Sequence, residues 1–375
     1  MTNGLRTVLP RSFNAATERV EVLKGPASTL YGILDPGGLI NVITKRPERQ
    51  FSGSVSGTST SFGGGTGSVD ITGPIEGTNL AYRLIGEYQN EDYWRNFGKN
   101  KSSFIAPSLT WFGERATVTA SYSHRDYSAP FDRGTIFDLN TGHAVNVDRK
   151  TRFDEAFNIT DGYSDLAQLN AEYRLNDAWT ARFDYSYSQD HYNDNQARVM
   201  AYDSATGNLT RRVDGTHGST QKMHSTRADL QGNVVVGGFY NELLTGVAYE
   251  NYDLLRTDML RCKNVKGFNI YLPVYGTLDN CNTVSASDSD QRIQQESYAA
   301  YVQNALYLTD NWIAVAGVRY QYYTQYAGKG RPFNVNTDSR DEKWTPKAGL
   351  VYKVTPNVSL FANVAQSFMP QSSIA

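Results

Sequence analysis

Long apolar runs are missing from this chain of 375 residues. Mean hydropathy is −0.50, and no stretch approaches the roughly 20 consecutive apolar residues that a membrane-crossing helix needs. A helical membrane protein is thereby excluded. A membrane β-barrel is not, because residues facing lipid alternate with residues facing a hydrated interior and the average stays polar. Basic excess is missing too: 36 Lys and Arg against 38 Asp and Glu leave a net charge of −2, which argues against nucleic acid as a partner. There is no GxGxxG and no Walker Lys-Ser/Thr pair, so the glycine-rich turn at Gly25 is not read as a phosphate cradle. With five His, two Cys and no CxxC, no metal-ligand spacing emerges; His124, His191 and His224 stand isolated. No Ser, His and acid fall at the spacing of a hydrolase, so no catalytic residue is assigned and an enzyme is not expected. The opening residues Met1-Thr-Asn-Gly-Leu-Arg-Thr lack the basic start and apolar core of a secretory signal.

What is abundant is Tyr, at 25, and Gly, at 32, spread over strands of period two. Leu80, Tyr82, Leu84 and Tyr88 oppose Arg83, Glu87 and Gln89. Val118, Ala120 and Tyr122 oppose Thr117, Thr119, Ser121 and Arg125. Ala167, Leu169, Ala171 and Tyr173 oppose Gln168, Asn170 and Glu172, and Phe183, Tyr185 and Tyr187 oppose Arg182, Asp184, Ser186 and Ser188. One face is heavily polar; the other is small residues with Tyr and Trp. That mixture suits lipid outside and a hydrated lumen inside, where an Arg on the lipid face would cost about 2–4 kcal/mol at mid-membrane. Short turns are expected near Gly113, Asn176, Gly237, Asp310 and Pro356, with Trp111, Phe112, Trp179 and Trp312 beside them as an interfacial girdle. Long polar stretches lie between, at Ala129 to Tyr163, Val199 to Gln221, Met259 to Arg292 and Gly328 to Lys343, and four such loops are rare in a compact soluble domain. The reading is all-β, an antiparallel transmembrane β-barrel of about 13 strands.

One segment stands apart. Val20 and Val22 alternate with Arg19 and Glu21 as a short strand; Lys24-Gly25-Pro26 breaks it, and Pro26 suits the first turn of a short helix through Tyr31. Gly32 stops that helix by tolerating a left-handed conformation, and Leu39 to Thr44 forms a second strand that Pro47 ends. The run Glu18-Arg-Val-Glu-Val-Leu-Lys-Gly-Pro-Ala-Ser-Thr-Leu-Tyr-Gly32 and its continuation to Pro47 resembles the closing segment of the plug domain of TonB-dependent outer-membrane siderophore receptors. The resemblance divides the chain into residues 1–48, the C-terminal part of an α/β plug, and 51–375, the N-terminal portion of the barrel. Family barrels have about 22 strands, and the plug segment is preceded in the family by a longer stretch that includes the TonB box. The chain is therefore expected to be partial, with an incomplete barrel whose unpaired edges would cost tens of kcal/mol in lipid.

By resemblance, the function is uptake of a ferric siderophore across the outer membrane of a Gram-negative cell. The siderophore is a transported ligand rather than a cofactor, and the partners are the TonB-ExbB-ExbD complex and outer-membrane lipid. Ligand contacts are expected from Arg11 and Phe13 at a plug apex, and from Tyr93, Trp94, Tyr192 and Tyr252 near the extracellular strand ends; the alternative for each is an aromatic of the upper girdle or a loop residue packing its neighbours. Cys262 and Cys281, with 18 residues between them in one polar loop, are expected to form a disulfide in an oxidising compartment, worth about 3 kcal/mol, with two free thiols as the alternative. The competing readings are a non-functional receptor fragment or truncated gene product, and a plain porin or adhesin barrel.

Overall fold

The computed structural model describes residues 1–10, 13–371 and 374. Its first unit is small. Strand β1 (Thr17–Lys24) pairs antiparallel with β2 (Gly38–Thr44), Val22 opposite Ile40, and between them lies the single-turn helix α1 (Ser28–Tyr31). Gly32 has φ 79° as the sequence requires, and a Cβ there would come within 2.9 Å of Arg319 Nη2. Glycine is thus demanded twice, by the backbone and by the close approach of the wall.

The wall is a fourteen-stranded sheet in which every neighbour is antiparallel. Strands β3 (Ser52–Ser59), β4 (Gly64–Pro74), β5 (Leu80–Asp92), β6 (Lys99–Phe112), β7 (Ala116–Pro130), β8 (Ile159–Arg174), β9 (Trp179–Asp203), β10 (Asn208–Val236) and β11 (Phe239–Arg261) follow one another up and down. After β12 (Val265–Asn269), the series resumes with β13 (Gln291–Tyr307), β14 (Trp312–Lys329), β15 (Asn334–Thr355) and β16 (Val358–Ala365). Strand β12 leaves the series to pair with the far end of β10, so thirteen of the fourteen run in chain order from β3 to β16. The two outermost strands are not paired with each other among the described residues.

Polarity runs opposite to that of a soluble protein. Gln168, Ser186, Ser188 and Ser225 are buried at 4% exposure or less, whereas Leu169, Phe183 and Val247 on the opposite face are 38–56% exposed. The concave side is therefore hydrated and the convex side apolar, the arrangement a lipid solvent selects. On the convex side, the apolar bands of several strands end in a tyrosine whose hydroxyl donates to a carboxylate. Tyr122 reaches Asp165 at 2.6 Å, Tyr249 and Tyr298 share Glu296 at 2.8 and 2.9 Å, and Tyr320 reaches Glu342 at 2.5 Å. An amphipathic ring with its polar tip turned to charge marks an interface, and this belt sets the upper edge of the apolar band.

Connections at the lower edge are short, at 113–115, 175–178, 237–238, 308–311 and 356–357. At the upper edge two of the four expected loops differ from the sequence reading. Residues 199–221 and 328–343 are mostly strand, as β9–β10 and β14–β15 continue beyond the belt and turn over within 204–207 and 330–333. Their strands rise past the membrane into water on both faces, so the polar-apolar alternation that would reveal them disappears. The other two stretches, 131–158 and 262–290, are long loops as expected.

Candidate functional site

The hydrated face of the wall holds the beginning of the chain. Residues 1–8 lie inside the sheet, where Thr2 bridges Val42 in parallel. Asn3 donates to Gln168 Oε1 at 2.7 Å, and Gln168 returns a bond to the Thr2 carbonyl at 3.2 Å. Ser188 Oγ accepts from the Val8 amide at 3.1 Å, and Ser225 donates to the Arg6 carbonyl at 2.9 Å. Further along, the Ala15 amide donates to Glu87 at 2.7 Å, while Lys45 and Arg83 converge on Asp70 at 2.9 and 2.7 Å. Helix α1 is tied to the far end of the sheet by Thr29, which donates to the Thr345 carbonyl at 3.1 Å. The inward Ser, Gln, Asp and Glu of the period-two pattern are thus the docking surface for a segment that crosses the lumen.

Above that segment the lumen changes character. Tyr252, inward on β11, donates to Gln221 at 3.2 Å, and the Arg6 guanidinium lies 6.0 Å from its ring centroid. Arg256, Tyr192 and Asp253 also act electrostatically on the Tyr252 phenol. Arg256 donates to Gln291 at 3.2 Å, yet its Nε has no partner among the described residues. Arg6 also holds Gln295 at 3.4 Å and Glu250 at 3.7 Å. Two phenols, two guanidiniums and three glutamines, with the Glu250 carboxylate beside Arg6, give this part of the lumen the groups to hold a rigid anionic ligand with an apolar or aromatic surface.

A cap of loops stands over the wall, and it has an apolar core of its own. Phe153, Leu209, Phe268 and Ile270 form one buried cluster, and Ala197, Val213, Leu260, Leu278 and Cys281 another. Cys262 and Cys281 are disulfide-bonded, Cα–Cα 5.7 Å. Arg211 pins the 131–158 loop to the 262–290 loop: it meets Glu155 at 2.8 Å and Thr277 at 3.1 Å, and stacks 4.0 Å from the Phe268 ring. Both Arg211 and Glu155 side chains are 2% exposed. Arg152 sits over Phe97 at 4.4 Å and pairs with Asp154 at 2.7 Å. Burial pushes the Asp154 carboxyl above its ordinary range despite that partner. For Asp132, burial also pushes upward, but the Gly134 amide and Arg95 at 2.8 Å outweigh it and hold the carboxyl below its ordinary range.

The sequence-predicted residues divide between these regions. Tyr192 on β9 and Tyr252 on β11 share the inward parity of their strands. Tyr93 donates to Asp132 at 3.0 Å beneath the cap, and Trp94 turns to the outer rim at 39% exposure. Phe13 is 60% exposed, and Arg11 lies outside the described residues. Sequence reasoning missed Arg6, Arg256, Gln221 and Gln295. Extending the inward parity of β10, β11 and β13 above the tyrosine belt finds all but Arg6, which only the folded path of residues 1–8 places there.

Comparison with known proteins follows the same lines. A family model described as "TonB dependent receptor-like, beta-barrel" matches residues 104–374, more than half of the chain. The chain is 28% identical over 368 residues to the metal-pseudopaline receptor CntO of Pseudomonas aeruginosa, covering 95% of this chain and 51% of that protein. It is 26% identical over 369 residues to the ferrioxamine B receptor of Salmonella typhimurium, covering 95% and 50%. The chain spans about half the length of the curated relatives it matches. Among solved structures, BauA, the ferric preacinetobactin receptor of Acinetobacter baumannii, superposes with a TM-score of 0.86 at 22% identity over 96% of this chain and 55% of that one. The ferripyoverdine receptor of Pseudomonas aeruginosa gives 0.84 at 20% identity over 96% and 48%.

Proposed function

We propose that this chain, which belongs to the TonB-dependent receptor family, serves in the outer membrane in uptake of a ferric siderophore. Residues 1–48 are then the closing part of a plug, and 51–375 the first part of the barrel around it. The observation that carries the reading is the inverted polarity of the wall together with residues 1–8 hydrogen-bonded across its hydrated face. A diffusion pore has no use for a lumen filled in this way, whereas an importer needs a seal that can be moved. Each hydrogen bond between neutral groups of that seal contributes a net of only about 0.5–1.5 kcal/mol, so it can be released stepwise by a mechanical pull. TonB, energised through ExbB and ExbD, supplies the pull in this reading, and no covalent step or resident cofactor is involved.

The ligand seat in this reading is the part of the lumen around Tyr192, Tyr252, Arg6 and Arg256, with Phe13 on the plug side and Tyr93 farther out; Trp94, turned to the outer rim, is not part of it. The names of the relatives, one receiving a metal-pseudopaline and another ferrioxamine B, agree on a metal held by a small chelator. The test is binding of a ferric hydroxamate, a ferric catecholate and a ferric polycarboxylate to the outer-membrane receptor carrying this chain, followed by intrinsic fluorescence. One of the three is expected to bind saturably, and Tyr192→Ala with Tyr252→Ala to weaken it about tenfold or more. Saturable binding of none of them, or an affinity indifferent to both tyrosines, sinks this seat.

A further inference from the structure

On the outer rim of the wall, turned away from the lumen, an open recess of about 740 Å³ is lined by Phe62, Trp94, Lys99, Lys101, Lys150 and Ile159, among others. The alternation of β6 fixes its direction. Ser102 and Phe104 are 5% and 7% exposed on the hydrated side, whereas Ile105, Leu109 and Trp111 on the other side are 40–47% exposed. Lys99 and Lys101 share the outward parity of Ile105 and so stand on the membrane side. Their height is fixed by register: Ser103 is opposite Tyr88, the last tyrosine of the β5 apolar band, and Lys101 is the next outward residue above it. Lys150 arrives from the cap, its carbonyl accepting from the Asn96 amide at 3.1 Å.

Lys99 pairs with Asp92, while Lys101 and Lys150 have no ion-pair partner among the described residues. Asp126 and Asp161 stand outward on β7 and β8, and the ion pair Asp126 makes is with His124. Beside the lysines, Phe62, Trp94 and Ile159 are left 37–50% exposed. Two unpaired ammonium groups just above an apolar band, with exposed rings between them, match an amphiphile that is anionic at its head and apolar below. An inorganic anion would use the lysines but leave the rings and the strip beneath them without a purpose.

We propose that this recess binds the phosphate groups of an anionic lipid headgroup in the outer leaflet, its acyl chains lying down the wall over Ile105 and Leu109. The inference rests on the outer-membrane placement of the wall, independent of the transport reading. It is tested on the full-length receptor carrying this chain, in neutral detergent, by native mass spectrometry with diphosphoryl lipid A as the probe. Lys101→Gln with Lys150→Gln is expected to weaken binding roughly thirtyfold. Lys101→Arg with Lys150→Arg should stay within about threefold of the parent, and Lys222→Gln, on the outer face of β10, should change nothing. Heat-modifiable mobility in gels confirms that each variant folds. Unchanged binding in the Gln pair, or equal loss in the Arg pair, overturns the proposal. So does inorganic phosphate competing as strongly as the lipid, which would make this a site for a free anion.

Discussion

The wall and the cap are built from one chain and obey opposite rules. In the wall, what is hidden is polar: Ser186 and Ser188 are fully buried, while Leu169 and Phe183 are left in the open. In the cap, Leu209 and Ile270 are buried at 1% and 2% exposure, and a disulfide fastens the structure. The wall needs no apolar interior because lipid covers its outside and its backbone is satisfied strand to strand. The cap stands in water and has to behave as a small soluble domain, where loops of this length cannot bury enough apolar surface without extra fastening. The tyrosine belt lies where one rule gives way to the other.

The largest way to break that comparison is to remove the ion pair on which the cap closes. Among the described residues, Arg211→Ala leaves the buried Glu155 carboxylate with the Gly276 amide as its remaining hydrogen-bond partner, and breaking a pair of this kind costs about 3–5 kcal/mol. Proteolysis and hydrogen exchange should show 131–158 and 262–290 opening together while the wall keeps its heat-modifiable mobility. If wall and cap fail together, they are one cooperative unit and the division is wrong.

A smaller effect sharpens the comparison from the other side. Leu169→Arg puts a cation in the middle of the outward band of β8 and should destabilise the membrane-folded wall by about 2–4 kcal/mol. Leu139→Arg, at a cap position 96% exposed, should stay within about 0.5 kcal/mol. Urea unfolding in bilayers reads both. Equal effects would mean that Leu169 does not face lipid.

The smallest effect is a pH response confined to the cap. Asp132 is held below its ordinary range, so its contribution to stability is present above the unfolded carboxylate value of about 3.9 and is lost as pH falls through the folded value. Hydrogen-exchange protection around 131–134, taken relative to the intrinsic rate at each pH, should fall with acidification below about pH 4, and Asp132→Asn should flatten the response. Protection that is independent of pH in both proteins would show that the Arg95–Asp132 pair does not hold that loop.

Legibility in the sequence followed the same boundary. Where one face met lipid and the other a hydrated lumen, alternation was strict, and the partition of Gln168 from Leu169 could be read directly. Above the belt both faces meet water or cap, so the polar stretches 199–221 and 328–343 read as loops although they are extensions of long strands. Tyr192 and Tyr252 were legible as aromatics near strand ends, but Arg256 and Gln221 carried no local signal that set them apart from other inward polar residues.

The sequence by itself determined the period-two strands, the turns at the lower edge, and the strand-helix-strand unit around Gly32, because each depends on residues within one or two turns of chain. Tertiary structure alone decided that Arg6 faces Tyr252, that Arg211 closes on Glu155 and that Lys150 joins Lys101 at the rim. Those contacts join residues 246, 56 and 49 positions apart, and nothing local to either partner encodes the path of the sheet that brings them together.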